Sequence, residues 1–509
     1  MLSKNKASRR FEIVCLAVIL LLSPILIMES SPLFQTPNVD SCLFMSIGKG
    51  ITEGKVPYVD LIENKGPLFF LMQAFAQWLI PGLNGLFVME IVVLLVYSYL
   101  VLLITRWFLG DEVNSFFSLI PLLWCLWFYN AKNFAEEYNL VFTLASVAVI
   151  VHIYTERKHG KNWLAFILGA CTAAVSLIKM SDAPVSAVII LLYVAEVLQT
   201  KRSFWKEAAR FVAGFAAVAV PVCIYLCSIN AFFPMLQEYL LNNFVHVLQG
   251  KKNLGFFETR KWLILSGYGW SSFKPVLMMM INLILAYLLL KGHRRQNSRQ
   301  RWMLVFLLAL TATTLFIAYI SDTNYTQHMT QQRLVEMLSL LVLLRALLLR
   351  FEHVKWIHKY SRSGILLCAV CGFAFVAAMY NTIDPNEFAW SETHKALVEE
   401  KTEFREELLD YEDSVYAIGT GTDWYWYNDF YPAYPYYNIY AFIRDGVGIG
   451  IDRKFEEFLL ENPIEAIVIN RDPEFYRGYL TNETVEFLQT DYEVVYESEY
   501  NTFKLLKLI

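Results

Sequence analysis

A chain of 509 residues that is 56% hydrophobic and 18% charged, with a mean hydropathy of +0.40, is too apolar for ordinary soluble domains and fits a polytopic α-helical membrane protein. Its net charge of −4 says little about partners, and no nucleic-acid partner is expected. Seven of the eight cysteines lie in apolar runs as small hydrophobes and only Cys42 falls in a polar segment, so neither a disulfide framework nor a zinc spacing is expected.

In chain order, Lys4, Lys6, Arg9 and Arg10 precede an apolar run from Phe11 to Met28. Met28-Glu29-Ser30-Ser31 is a poor small-residue cleavage site, which favours an uncleaved anchor over a secretory signal. Residues 29–85 then form a predicted first outer loop. Asp40 lies just past the membrane boundary, Asp60 ends a Pro57-Tyr58-Val59-Asp60 turn, and Lys65-Gly66-Pro67 opens a second apolar run from Leu68 to Ile80. That run is too short to cross, so it is read as an interfacial or re-entrant helix. Further spans are predicted near 86–108, 113–129, 136–154, 162–178, 183–199, 209–228, 275–291, 302–320, 332–350 and 363–380. Each is close to the roughly 17–25 residues needed to cross, which makes about eleven transmembrane helices.

Lysine and arginine give the orientation. With the N-terminus inside, the inside loops hold Arg106 alone in one weak turn; Arg157, Lys158 and Lys161; Lys201, Arg202, Lys206 and Arg210; a basic run from Lys291 to Arg301; and Lys355, Lys359 and Arg362. The short outside loops hold one each, Lys132, Lys179 and Arg333. Residues 1–380 are thus read as a multi-pass plasma-membrane domain, bacterial by preference, and 381–509 as a small extracytoplasmic α/β domain. In the latter, Glu399 to Asp410 reads as a charged helix. Val415 to Gly419 and Ala466 to Asn470 read as buried strands, and Phe455 to Leu460 as part of the helix before the second strand. The aromatic stretches Asp423 to Tyr427 and Tyr431 to Tyr437 are expected at a surface, as an interfacial belt or as sugar-stacking rings. No internal repeat is evident, which counts against transporters built from duplicated halves.

Several polar groups need more than hydrophobicity to explain them. Glu136 and Glu137 stand at the mouth of the fourth span, where a solvated helix start with acids in its first turn is a sufficient structural account. They face the same side as Asp40. Lys179 and Asp182 flank a short outside turn in which a local ion pair is the default. Arg333 and Glu336, a helical turn apart at the start of the tenth span, face the bundle interior either as a pair or as a functional group. His328 is a candidate metal or phosphate contact, although a lone loop histidine is more often neither.

Asp40 after the first span, with Gly54-Lys55-Val56-Pro57-Tyr58-Val59-Asp60 and Asn64-Lys65-Gly66-Pro67-Leu68, resembles the first outer loop of polyprenyl-phosphate-dependent glycosyltransferases. This multispan superfamily contains protein O-mannosyltransferases and aminoarabinose transferases. The resemblance covers residues 10–110 and extends to the Glu136-Glu137 loop. It implies transfer of a hexose or pentose, with inversion, from a lipid phosphate on the outer face. By that resemblance Asp40 is the catalytic acid-base group, and Lys65, in its Lys-Gly-Pro motif, approaches the lipid phosphate. Ser41 stands where many relatives carry a second acid, which moves the second carboxylate to Glu136 or Glu137.

The chemistry is compatible. A sugar on a lipid phosphate has a good leaving group, so the enzyme must neutralise charge on phosphate and take a proton from the acceptor hydroxyl. Asp40 is the candidate base; Lys65, with Asp60, Lys179 and Arg333, forms the candidate phosphate-binding set. A divalent metal ion, Mg or Mn, between a carboxylate and the phosphate would replace part of the cationic clamp. The acceptor is a lipid, a glycan or a protein, and membrane lipids are the surrounding partners. Two other readings stand beside the enzyme: a transporter or flippase of lipid-linked sugars, expected to carry ionisable groups at mid-membrane, and a lipid-binding scaffold. Asn324-Tyr325-Thr326 and Asn482-Glu483-Thr484 are glycosylation sequons of a kind that arises by chance.

Overall fold

The computed structural model describes residues 2–110, 116–127, 132–156, 163–243, 267–290, 305–314, 330–351, 383–411, 414–437, 451–462, 464–471, 480–498 and 503–509. The predicted 363–380 span, the Asn324 sequon and His328 lie outside them. The described chain is mostly helical with a small C-terminal sheet. Among the described residues, four helices are long and apolar enough to cross a membrane: Leu83–Leu109, Ala135–Tyr154, Met180–Gln199 and Phe204–Ser228.

The chain divides into two compact units. The first comprises Met1–Ile27, Met89–Val222 and Gly255–Ile383; the second comprises Met28–Val88, Cys223–Leu254 and Asp384–Ile509.

In the first unit, uninterrupted leucine, isoleucine, valine and alanine give helices because such side chains leave the backbone no competing polar partner. Gly110 ends the Leu83–Leu109 helix: it takes φ +97, a left-handed conformation that costs glycine least, and its N–H bonds Arg106 O at 2.9 Å. The Leu164–Ile178 and Phe204–Ser228 helices meet through glycines. A Cβ on Gly169 would strike the Phe211 carbonyl, and one on Gly214 the Phe166 carbonyl. Polar bonds cross between helices too. Arg106 pairs with Glu12 at 2.6 Å, Trp124 Nε1 donates to Glu336 at 3.2 Å, and Asn282 Nδ2 donates to Ser339 Oγ at 3.0 Å.

The second unit is built on a four-stranded sheet: β1 (Val415–Ile418), β2 (Ala466–Asn470), β3 (Tyr492–Glu497) and β4 (Phe503–Leu508), in the order β1-β2-β4-β3. β1 pairs in parallel with β2, Val415 opposite Ala466; β4 pairs antiparallel with both β2 and β3. Continuous apolar runs suit β1 and β2, which are buried along their whole length. β3 and β4, with Glu493, Glu497, Lys504 and Lys507, expose part of their length, and sequence reading missed them. The Ile451–Glu461 helix lays Phe455 and Leu459 into the core beneath β1 and β2.

Two expectations are corrected here. The charged helix is Glu392–Thr402 rather than 399–410. Ser391 Oγ caps its start by accepting from His394 N at 3.1 Å. Past its end, Glu403 accepts from Tyr496 Oη at 2.9 Å and from Ser498 Oγ, which draws the chain onto β3. Most of the aromatic stretch is core rather than surface, with Trp426, Tyr427 and Tyr431 half-buried at its edge. Trp424, Tyr425, Phe430, Tyr434, Tyr436 and Tyr437 are buried, and their rings pack edge-on and stacked, Trp424 to Phe430 at 4.7 Å and Tyr434 to Tyr436 at 5.5 Å.

The first-loop segment is stitched onto this core. Ile62 is a member of the sheet's hydrophobic cluster, and its N–H bonds Pro435 O at 2.8 Å. Phe34 stacks on Phe388 at 4.9 Å, Tyr431 Oη donates to Glu53 at 2.6 Å, and Lys49 pairs with Asp429.

Candidate functional site

The predicted site residues fall into both units: Asp40, Asp60 and Lys65 in the second, Glu136, Glu137, Lys179 and Arg333 in the first. His328 lies outside the described residues.

Asp40 stands in the first turn of the Val39–Thr52 helix. Asn38 starts that helix, its side chain accepting from Ser41 N at 2.9 Å, and Asn38 N in turn bonds Glu29 Oε2 at 3.1 Å. Asp40 is half-buried, whereas Ser41 is fully buried. The Pro67–Leu79 helix, predicted from the short apolar run, packs against Val39–Thr52, with Phe44 and Phe69 edge-to-face at 4.9 Å. Pro67 is its first residue, where a missing N–H and fixed φ suit a helix start.

Lys65 immediately precedes that start. Its Nζ donates to Asn64 Oδ1 at 2.7 Å and Glu63 Oε1 at 3.1 Å and lies 5.5 Å from the centre of the Phe44 ring. Phe44 follows Asp40 by four residues, hence on the same helix face one turn along. Lys65 and Asp40 therefore flank one turn of one helix. The backbone around Lys65 is held at both carbonyls: Tyr58 Oη donates to Lys65 O at 2.7 Å, and Asn243 Nδ2 donates to Asn64 O at 3.0 Å. Asn243 lies two residues past a π-helical turn, Leu236–Leu241.

Asp60 closes its predicted turn. Its Oδ2 accepts from Val56 N at 2.7 Å and its own N–H bonds Val56 O at 2.8 Å, leaving the residue exposed.

The C-terminal segment supplies neighbours of Asp40 that sequence reading did not single out. Thr422 Oγ1 donates to Val39 O at 3.1 Å, so Asp423 and Asp40 each follow one end of that bond. Asp423 pairs with Lys401 at 2.8 Å, and the Lys401 ammonium lies 4.8 Å from the centre of the Tyr427 ring. Burial, and then the Asp423 carboxylate, push the Cys42 thiol well above its ordinary range. Burial does the same to the Tyr58 hydroxyl. The only sequence signal for Asp423 was its place at the head of the aromatic stretch.

In the first unit, the solvated-helix account of Glu136 and Glu137 is corrected: they are 3% and 5% exposed. Lys179 reaches across helices to form an ion pair with Glu136, and Glu137 Oε1 accepts from Lys132 N at 2.9 Å. Asp182, also buried, accepts from Asn139 Nδ2 at 3.0 Å and Gln331 Nε2 at 3.2 Å. Arg333 pairs with Glu336 at 3.1 Å, the first of the two outcomes expected for it. Buried carboxylates matched in this way avoid the cost of an isolated charge.

Among the described residues, no three histidine, cysteine, aspartate or glutamate side chains converge as ligands for a metal ion. Glu136 and Asp423 each hold a lysine, and a divalent cation does not fit those positions.

No protein-family model matches the chain, and no curated protein matches it. Among solved structures it is similar to the archaeal oligosaccharyltransferase AglB from Archaeoglobus fulgidus, in complex with an inhibitory peptide and a dolichol-phosphate. The TM-score is 0.47 at 13% sequence identity, over 97% of this chain and 74% of that one.

Proposed function

We propose that the chain is an integral membrane glycosyltransferase of about eleven spans that moves a hexose or pentose from a polyprenyl-phosphate donor to an acceptor on the extracytoplasmic face. The observation that carries this reading is the Lys65 ammonium at the Phe44 ring, one turn along the Val39–Thr52 helix from Asp40. Lipid-phosphate sugar transfer needs such a pair. The acceptor hydroxyl attacks the anomeric carbon, its proton passes to Asp40, and the bond from that carbon to the phosphate oxygen breaks with inversion. Lys65 takes up the charge left on polyprenyl phosphate. Glu63 and Asn64 hold Lys65 in place until the phosphate arrives.

Glu136, Glu137, Lys179, Arg333 and Asp60 complete the reading as candidate second acids and phosphate contacts.

One observation favours a carrier of lipid-linked sugars instead: Glu136 and Asp182 are buried in candidate spans. Both stand in the first turn of their helices, however, at span ends rather than at mid-membrane. The test is release of polyprenyl phosphate from synthetic polyprenyl-phosphate sugars by the purified chain in detergent, scoring hydrolysis as well as transfer. Release supports the enzyme; intact donor that binds, and that crosses reconstituted vesicles with the protein, supports the carrier.

A further inference from the structure

The turn between the candidate spans Met180–Gln199 and Phe204–Ser228 gathers charge that its backbone does not require. Glu207 is 5% exposed. Its Oε1 accepts from Arg202 Nη2 at 2.7 Å and from Arg210 Nη1 at 2.6 Å, and its Oε2 accepts from Tyr193 Oη at 2.6 Å. One carboxylate oxygen therefore fixes two guanidinium groups side by side. A guanidinium carries five N–H donors, and most of those on this pair remain for a second anion. Both side chains stay partly open to the outside.

Lys201 and Lys206 are exposed beside the pair and form no ion pair among the described residues. Four cations thus stand against one carboxylate within ten residues. Lys201 also occupies a position that suits glycine. It takes φ +53, its N–H bonds Leu198 O at 3.2 Å and the Arg202 N–H bonds Val197 O at 3.1 Å, a helix ending that normally places glycine at the left-handed residue. A lysine stands there at a conformational cost.

Phe204 and Trp205 lie between these cations, their rings 5.4 Å apart, and Trp205 is 79% exposed. An exposed indole beside basic groups, at the start of a span whose apolar window is only 17% buried, matches the headgroup level of a bilayer.

We propose that Arg202, Arg210, Lys201 and Lys206 form a binding site for the phosphate of an anionic phospholipid headgroup, with Phe204 and Trp205 seated at the headgroup boundary. Paired guanidinium groups match phosphate oxygens in shape and charge. The aromatic pair and the flanking spans commit the site to a lipid rather than a soluble phosphate. The lysine and arginine bias assigns this turn to the cytoplasmic leaflet, where anionic headgroups attract such clusters.

The test reconstitutes the full-length protein in nanodiscs of phosphatidylcholine doped with phosphatidylglycerol and measures retained lipid by native mass spectrometry. Wild type is expected to retain phosphatidylglycerol over phosphatidylcholine. Arg202→Gln/Arg210→Gln is expected to lower that selectivity by about tenfold or more. Lys201→Gly/Lys206→Gln, which relaxes the backbone at 201, keeps the test open if the arginine variant fails to fold, and is expected to lower selectivity several-fold. Equal retention of the two lipids by wild type, or unchanged selectivity in a folded variant, overturns the proposal. Full displacement of phosphatidylglycerol by equimolar inorganic phosphate overturns it as well.

Discussion

Tyr58 takes φ +67, a strained setting for a bulky side chain, is almost wholly buried, and gives its hydroxyl to the Lys65 carbonyl. Removing that hydroxyl alone is expected to cost about 1 kcal/mol. Tyr58→Phe should lower the thermal midpoint of the purified chain accordingly, while an unchanged midpoint would mean that the Lys65 loop is held elsewhere. Cys42 offers a second check. With its thiol buried and held well above the ordinary range, little thiolate forms near neutral pH, so a maleimide should label Cys42 only after unfolding. Labelling of Cys42 in the native chain would contradict the close packing beneath Asp40. At this scale the sequence marked Asp40 and Lys65 through their motifs. Asp423 and Lys401 carried no such mark, because only folding brings Thr422 to Val39.

Apolar run length was a good guide to helices, since a continuous hydrophobic stretch leaves the chain little alternative. The 86–108, 136–154 and 183–199 runs match Leu83–Leu109, Ala135–Glu156 and Ala183–Gln199 within a few residues, and the short run at Leu68 is the Pro67–Leu79 helix. β1 and β2 were legible for the same reason. β3 and β4 were not, because their glutamates and lysines break the apolar pattern. The charged helix was misplaced because its start depends on a single hydrogen bond at Ser391. The element that sequence hid most completely is the clasp between the first loop and the sheet. Ile62, 8% exposed, sits in the sheet's core three residues before Lys65. Ile62→Ala is expected to cost about 2–5 kcal/mol and to raise hydrogen exchange across residues 56–66. Unchanged exchange there would show that the clasp does not hold the loop.

At the scale of the whole molecule, composition alone marked a membrane protein, and the described helices agree with it. What composition could not show is that residues 28–88 join residues 384–509 in one unit, since contacts between such distant segments leave no periodic trace in the chain. That union gives the first loop a rigid base and brings C-terminal side chains to the helix that carries Asp40. In the proposed reaction Asp40 takes the acceptor's proton while Lys65 answers the phosphate. The most direct measurement is single-turnover transfer from a polyprenyl-phosphate sugar by wild type and Asp40→Asn, with donor binding measured on both. Loss of a general base predicts a rate lower by about 10²–10⁴-fold at unchanged donor affinity. Transfer at the wild-type rate by Asp40→Asn would contradict the assignment.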